Sequence, residues 1–397
     1  MEMAATDTGK LKHLDHVEDH AHNSGDAGFH HAFHSLEHTH EMIKGNKKDG
    51  SSVTTKYDGA PSIVWGHHPE NGKFFVGSKS VFNKNAKVNH TDADVDENHG
   101  HAPGLASKLK GALKHLPKVT PKGKVYQGDL MHSGSKTKSN PEGDVEHKEG
   151  KYHFKPNTIS YSTDKKSDQG KKIARSKIGV VPHTEYKGDS LESMKAHYNA
   201  DTSSMGSHRD VHVISPHHDT SKVEHSKENK KGYEDNMKKA TEHYNDIEKG
   251  HHEAIGAHAH GTHINTFINK NVREGTKPTV DGYKGHVTDH YQKKADKVKT
   301  DAAKERHVGV GQTHNDHVDQ NKHHFERAFA IQHHLQQAKN HLVKSLSTHK
   351  EFDTHIGGVE SKGEGFVVSK DNKPSKLVDR AEFSRANFLT AKPGESK

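Results

Sequence analysis

The sequence predicts an α+β fold of antiparallel sheets with flanking helices, together with a large helical insertion. Short runs rich in β-branched and aromatic residues, separated by turn-forming residues, occupy 51–186 and indicate strands. From about 220 to 350 the chain is instead dominated by Lys, His, Glu, Gln and Ala, with apolar residues at helical spacing. Strand-like runs return near Phe366, so the helical region interrupts a chain that begins and ends as sheet.

The first half of the chain alternates helices with strands. Apolar residues at helical spacing, followed by Gly45, predict an amphipathic helix over 27–44, and we expect its apolar face to pack on the sheet. The remaining expected elements, in order, are antiparallel strands over 51–82 with a turn at 69–72, a polar loop over 83–103, a helix over 104–116, and strands over 124–132, 152–162 and 176–186.

The helical region divides the chain into three segments. Residues 1–220 are predicted to form the first part of a core, 221–350 an inserted His- and Lys-rich helical region, and 351–397 the last part of the core. Within the insertion, helices are expected over 230–258, 284–304 and 316–348. Its many lysines fit either a clamp for nucleic acid or an ordinary solvated surface.

Composition limits the possible classes of protein. Only 28% of the 397 residues are hydrophobic and the mean hydropathy is -1.09, which indicates one compact core with much solvated surface. No apolar run is long enough to span a membrane, and 1–9 lack the apolar centre of a signal peptide. The chain has no cysteine and a formal charge of +7, so we expect a cytoplasmic protein without a membrane partner and compatible with nucleic acid.

Histidine is unusually abundant, with 43 copies. One segment, His34–His38, has the His-x-x-Glu-His spacing of inverted zinc peptidases. Because adjacent and closely spaced histidines recur throughout the chain, we interpret this spacing as a consequence of composition rather than as a metal site.

The segment Thr54–Pro61 contains a lysine two residues before Asp-Gly, between strand-like residues. A lysine amine attacks an electrophile only after losing its proton, which is rare at neutral pH unless a dry pocket or nearby cations favour the neutral form. The pattern Lys56-Tyr57-Asp58-Gly59 therefore fits a lysine nucleophile in a pocket. A surface hairpin turn at Asp-Gly is the alternative interpretation.

Further motifs follow this lysine in a fixed order. A strand ending at Lys79, an acidic strand with Asp129, a strand with Tyr161, a Glu-Gly pair at Glu364 and a final strand with Lys376 come after it. This series resembles the covalent nucleotidyltransferase superfamily, which includes ATP-dependent DNA ligases, RNA ligases and mRNA capping enzymes. The chain around the same motifs also looks like an uncharacterised family of proteins from tailed bacteriophages, which brings no known activity.

The resemblance implies an adenylation domain, with roles for the motif residues. Lys56 would attack the α-phosphate of ATP and hold AMP, while Asp58 would orient that lysine or the ribose. Gly59 would lie beside the nucleotide, and Lys79 would contact the nucleotide or the 5′-phosphate of an acceptor strand.

The later motifs complete the implied site. Asp129 and Glu364 would hold the ribose and a metal ion, Mg²⁺ or Mn²⁺, because such ions prefer oxygen ligands. Tyr161 would stack on adenine. Lys376 would contact the α-phosphate, and cations converging on the phosphates would neutralise charge as pyrophosphate leaves. His183–Tyr186 is a weaker candidate for the pocket lining.

Two departures from the family pattern indicate an altered acceptor or a weakened site. Pro374 and Ser375 precede Lys376 where ligases carry a second lysine, and Asp129 stands where many ligases have Glu. The tail after Arg380 is also too short for the OB-fold common to capping enzymes and DNA ligases. We therefore expect an RNA-ligase-like enzyme or a stand-alone adenylation domain.

Three functions are compatible with these motifs. The first is an ATP-dependent ligase that joins 3′-hydroxyl and 5′-phosphate ends of RNA or DNA, in the host cytoplasm if the chain is phage-encoded. The second is a phage structural or nucleic-acid-binding protein that keeps the fold without turnover. The third transfers a nucleotidyl group to a protein or a small molecule.

Overall fold

A computed structural model describes residues 14–46, 50–138 and 140–384. These residues form two compact units. The first contains 50–219 and 349–374, and the second contains 15–46, 220–348 and 375–384. No helix within the described ranges is long and apolar enough to cross a membrane.

The chain contains both strands and helices throughout its described length. The strands are β1 (Ser51–Lys56), β2 (Ser62–His67), β3 (Phe74–Gly77), β4 (Val125–His132), β5 (Glu146–Lys148), β6 (Lys151–Phe154), β7 (Ser160–Asp164), β8 (Ile178–Lys187), β9 (Lys195–Tyr198), β10 (Val211–Val213), β11 (Asp353–Ile356), β12 (Val359–Glu360), β13 (Gly365–Lys370) and β14 (Lys373–Leu377). The α-helices are α1 (His20–Asn23), α2 (Gly25–Ile43), α3 (Asp92–His99), α4 (Pro103–His115), α5 (Asp168–Arg175), α6 (Lys227–Asn245), α7 (His251–Gly256), α8 (His260–Glu274), α9 (Val280–Ala295), α10 (Asp301–Gln320) and α11 (Lys322–Leu346). Short 3-10 turns lie at Val17–Asp19, Lys79–Phe82, Leu116–Lys118, Thr202–Ser204, Thr220–Lys222 and Ala257–Ala259, and a π-helical turn lies at Arg380–Ser384.

Sheets dominate the first unit. Its largest sheet has the order β10-β8-β4-β2-β3, with β9 paired to β8, and a second has the order β12-β11-β7-β6-β5. Separately, β1 pairs with β13 in antiparallel register. Helix α4 covers one face of the largest sheet, where Leu109 packs into a core with Trp65, Tyr126 and Leu130. The prediction of an α+β fold with antiparallel sheets is confirmed, with one parallel pair between β8 and β10.

Two predicted elements of the first unit differ from the structure. The single strand expected over 152–162 is two strands, β6 and β7, because residues 155–159 leave the sheet to form a connecting loop. The loop expected over 83–103 contains helix α3. A capping box, in which Thr91 Oγ1 accepts from the Asp94 amide and the Asp94 side chain accepts from the Thr91 amide, begins this helix.

The second unit is helical, and its central helix α11 packs along α6. Phe267, Tyr283, Phe325 and Phe329 form part of its core. The helices expected over 230–258 and 284–304 are each interrupted in the structure. Gly250, with a φ of 94°, separates α6 from α7, and Thr300 begins α10 by accepting a hydrogen bond from the Ala303 amide at 3.3 Å.

The terminal segments group differently from the predicted division. Residues 15–46 and 375–384 belong with the helices rather than with the sheets. Buried ion pairs explain this grouping: Lys339 Nζ donates to Glu18 Oε1 at 2.7 Å, and Arg380 donates to both carboxylate oxygens of Asp19. Lys339 and Glu18 are fully buried, so each charge requires the other to remain in the interior.

Several histidines of the second unit are buried and neutral. Burial first, and neighbouring histidines second, lower the pKa of His260 to about 3 and that of His263 to about 4. Burial likewise lowers the pKa of His40 and of His251 to about 4. These side chains serve as core residues, with His260 Nδ1 bonded to the Tyr283 hydroxyl at 2.7 Å.

We predict that the free energy of unfolding of the second unit decreases as the pH falls from about 6.5 toward 4. The unfolded chain takes up protons near pH 6.5, whereas the folded unit does not, so each buried histidine costs up to about 1.4 kcal/mol per pH unit across this window. Thermal unfolding followed by helical circular dichroism measures the loss. His260→Gln should reduce this loss of stability at low pH, while His34→Gln, at an exposed position, should leave the loss unchanged. Equal stability at pH 7.5 and pH 5 would contradict this account.

Candidate active site at Lys56 and Glu364

The pairing of β1 with β13 brings the motif lysine against the Glu-Gly pair. Lys56, the last residue of β1, lies opposite Gly365, the first residue of β13. Glu364 therefore falls beside Lys56, and Lys56 Nζ donates a hydrogen bond to Glu364 Oε1. Both side chains are largely buried, with 26% of Lys56 and 16% of Glu364 exposed. The structure thus joins two of the predicted site residues directly.

A small cavity lies beside this ion pair. It has a volume of about 30 Å³, room for a few water molecules at most. Besides the ion pair, the lining includes the two chain neighbours of Lys56, two aromatic residues from other segments and two further lysines. These are Thr55 and Tyr57, Tyr161 and Phe352, and Lys350 and Lys362. A nucleotide needs far more space than this cavity offers, so the protein is closed around the lysine.

Asp58 holds together the loop that precedes β7. Its Oδ2 accepts hydrogen bonds from the amides of Thr158 at 2.7 Å and Ile159 at 2.8 Å, and its Oδ1 accepts from Asn157 Nδ2 at 2.8 Å. The carboxylate is buried, and three donors satisfy it. These bonds give Asp58 a structural role, and the expectation that it orients Lys56 or a ribose stays a prediction.

Tyr161 belongs to a buried aromatic cluster. Its ring stacks on Phe154 with 5.5 Å between centroids and meets Phe352 edge-on, and only 3% of the residue is exposed. The Tyr161 hydroxyl accepts a hydrogen bond from the Asp58 amide at 2.7 Å, and burial raises the pKa of this phenol well above 10. Core side chains therefore pack against the Tyr161 ring, and its stacking on adenine stays a prediction.

Gly59 passes directly over Asp129 in β4. A Cβ atom at residue 59 would lie 2.5 Å from the Asp129 Cβ and 3.0 Å from the Met131 Sδ. Adjacent backbone bonds fix this approach, since the Ala60 amide donates to the Leu130 carbonyl at 3.0 Å. The glycine of the motif is therefore required by close packing against the acidic strand.

Asp129 and Lys79 lie at the same level along the strands of the largest sheet. In β2, Ser62 lies opposite Asp129 and Val64 opposite Gly77, so Lys79 follows β3 at the level of Ser62. Strand β2, which begins at Ser62, directly follows the lysine motif in the chain. The Asp129 carboxylate is 21% exposed, with His183 Nε2 at 3.8 Å from Oδ1, so the candidate histidine of 183–186 does contact a predicted site residue.

The two predicted acidic residues lie at opposite ends of the lysine motif. Glu364 contacts Lys56, whereas Asp129 contacts Gly59, three residues further along the chain. The lining of the cavity at Lys56 includes Glu364, whereas Asp129 is not among the described residues that line it.

Lys376 lies in β14 and belongs to the second unit. Its amide donates to the Asp15 carbonyl at 2.9 Å. The other predicted site residues all lie in the first unit, so Lys376 is grouped apart from them.

Sequence reasoning missed the lysines that line the cavity with Lys56. Lys350 Nζ donates to the Ser361 carbonyl at 2.8 Å, and Lys362 lies two residues before Glu364. The string Lys-Gly-Glu-Gly at 362–365 was the available signal, because a lysine so close to the motif glutamate reaches the same pocket.

Within the described ranges, no three His, Asp or Glu side chains come together as a metal site. His34 of the zinc-peptidase spacing is exposed and bonds to Glu37 at 3.3 Å. Asp129 offers a partly exposed carboxylate of the kind that Mg²⁺ prefers, whereas Glu364 is engaged by Lys56.

Comparison with known proteins assigns the chain to one family. Residues 11–392 match the family described as "Family of unknown function (DUF6267)", so the chain belongs to that family. No curated protein and no solved structure matches the chain.

We predict that Gly59→Ala lowers the free energy of unfolding of the first unit by about 1–3 kcal/mol. The Asp129 Cβ is fixed to the backbone of β4 and cannot swing away from an added methyl group, so the strand or the loop must shift. Chemical denaturation measures the change. Gly104→Ala is the matched control, since an added Cβ there meets nothing within 4 Å. Equal stability of the two variants would rule out the close packing.

Proposed function

We propose that this protein is an ATP-dependent nucleotidyltransferase that acts through a lysyl-AMP intermediate at Lys56. The contact between Lys56 and Glu364 carries the proposal, because it joins the lysine motif and the Glu-Gly motif in one partly exposed pocket. The Lys56 amine attacks the α-phosphate, forming an N–P bond as the P–O bond to pyrophosphate breaks. AMP then passes to a 5′-phosphate, and a 3′-hydroxyl displaces it to join two polynucleotide ends. The cytoplasm, where ATP is abundant, is the proposed location.

Glu364 has a specific role in the first step. In the ion pair Lys56 carries a proton, and attack on phosphorus requires the lone pair that this proton occupies. Glu364 is in direct contact with the amine, so it can accept the proton as ATP enters. This proton transfer ends the ion pair and frees Lys56 to turn toward the phosphate.

Other cations around the pocket favour phosphate binding. Lys350 and Lys362 line the cavity with Lys56, and Lys79 follows β3 at the level of Ser62. Cations placed around phosphates stabilise the charge that develops as pyrophosphate leaves. A bound Mg²⁺ or Mn²⁺ would supply further charge neutralisation, with Asp129 as the protein ligand.

A non-catalytic protein of the same fold is the second candidate. The closed cavity of about 30 Å³ and the burial of Tyr161 favour it, since a nucleotide enters only after the pocket opens. Such a protein would bind nucleic acid or serve a structural role in a phage without forming lysyl-AMP.

We predict that incubation with α-labelled ATP and Mg²⁺ leaves label on the protein after denaturing electrophoresis. Lys56→Ala and Lys56→Arg should abolish the label, because neither side chain supplies a free amine for attack. Lys195→Ala, at an exposed lysine of the same unit, should retain it. Label that persists in both Lys56 variants, or its absence from the wild type with either Mg²⁺ or Mn²⁺, would support the non-catalytic candidate.

We also predict that Glu364→Gln slows lysyl-AMP formation by about 10²–10⁴-fold and makes its rate rise with pH. The amide cannot accept the proton of Lys56, so the neutral amine must come from the bulk equilibrium. Single-turnover labelling across a pH series measures this. Glu192→Gln, at an exposed glutamate of the same unit, should match the wild type. A Glu364→Gln variant with an unchanged rate and pH profile would show that Glu364 is not the base.

A further inference from the structure

Helix α4 forms one wall of a second, larger cleft in the first unit. The cleft has a volume of about 770 Å³, within the range of ligand sites. Leu130 lies in its wall, whereas the neighbouring Asp129 shares the opposite face of the sheet with Ser62. The cleft is therefore separate from the cavity at Lys56.

Lysines dominate the polar lining of this cleft. Five of them come from α4, the turn after it and two neighbouring loops: Lys108, Lys114, Lys118, Lys155 and Lys177. Two of the three acidic residues that face them are already engaged. Lys118 Nζ donates to Asp210 at 2.5 Å, and Asp144 accepts from the Ser133 amide at 2.7 Å, with a pKa raised by burial.

Three of the lysines have no carboxylate partner among the described residues. Lys114, Lys155 and Lys177 are all exposed at the cleft, and none takes part in an ion pair there. Like charges gathered without partners repel one another unless an anion binds between them. The cleft is therefore arranged for a polyanion.

Two glycines of α4 keep the wall of the cleft open. Gly104 and Gly111 line the cleft, and an added Cβ at either position meets nothing within 4 Å. Gly111 lies inside the helix, where glycine costs helix stability relative to alanine. Packing does not require either glycine, and the missing side chains leave room for a bound molecule to approach the helix backbone.

The lining also indicates what kind of anion binds. Among the described residues of the cleft wall there is no Phe, Tyr or Trp, so nucleobases find none of these rings to stack on. Lysine recognises phosphate as a point charge, without the fixed fork geometry that arginine offers. We propose that this lysine cleft binds the sugar-phosphate backbone of nucleic acid without reading its bases.

The lysine cleft is linked to the loop that follows Lys56. Lys108 Nζ donates to the Ala60 carbonyl at 3.1 Å, so a strand held in the cleft lies against a residue that anchors the motif loop. Backbone binding here does not depend on AMP transfer at Lys56, and it applies equally to a non-catalytic protein.

The test is fluorescence anisotropy of labelled single-stranded RNA, single-stranded DNA and duplex DNA over a series of salt concentrations, using the full chain. The triple variant Lys114→Gln, Lys155→Gln, Lys177→Gln should weaken binding to every sequence alike. It should also reduce the slope of log K against log salt by about 2–3, since each lost phosphate contact removes about 0.7–0.9. The control triple Lys73→Gln, Lys122→Gln, Lys195→Gln makes the same charge change at exposed lysines of the same unit. Equal slopes for the two triples would overturn the proposal.

Gly111→Gln adds a neutral side chain to the cleft wall and tests the glycine argument. It should leave thermal stability equal or higher, because Gln is the better helix former, and yet weaken binding. Unchanged affinity in this variant would overturn the proposal. So would displacement of the labelled strand by inorganic triphosphate at an equal concentration, because it would mark a site for small phosphates.

Two comparisons separate this proposal from the proposed function. Lys56→Ala should bind nucleic acid like the wild type, and the cleft triple should still form lysyl-AMP. Loss of binding in Lys56→Ala would assign nucleic acid to the Lys56 pocket and contradict a separate cleft.

Discussion

The antiparallel pairing of β1 with β13 is the contact on which the rest of the candidate site depends. It joins segments so distant that Lys56 and Glu364 lie 308 residues apart in the chain and yet touch. The entropy cost of closing a loop grows only slowly with its length, so a long intervening region is tolerated once the strands pair. Without this register, Lys56 would be a solvated lysine at the end of a strand.

In the lysine motif, Lys56 is the proposed nucleophile, whereas Asp58 and Gly59 shape the loop. Asp58 uses its carboxylate to fix the residues before β7, and Gly59 lets the chain cross Asp129 at close range. The loop is thereby tied to β4 on one side and to the loop before β7 on the other. The Lys56 side chain stays partly exposed, and a nucleophile requires such access to its substrate. The lysine cleft beside α4 shares no lining residue with the cavity at Lys56 among the residues that the structure describes.

Much of the fold followed from local sequence signals, and the parts that did not follow depend on long-range contacts. Alternating and β-branched residues located β2, β4 and β8, and apolar spacing located α4 and α11. Periodicity identifies an apolar helix face but not its partner, so the grouping of α2 with the helices was missed. The buried pair of Glu18 with Lys339 has no spacing signal at all. An aromatic residue in a strand looks the same in a core as in a binding site, so the sequence did not reveal that Tyr161 packs against Phe154 and Phe352.

The central claim is that Lys56 forms a covalent bond to AMP, and mass spectrometry of the protein after exposure to ATP and Mg²⁺ tests it most directly. Intact mass should increase by one AMP group, and peptide mapping under conditions that preserve a phosphoramide should locate that group on Lys56. Addition of pyrophosphate should then remove it and regenerate ATP. An unmodified Lys56, or AMP found on another residue, would contradict the account.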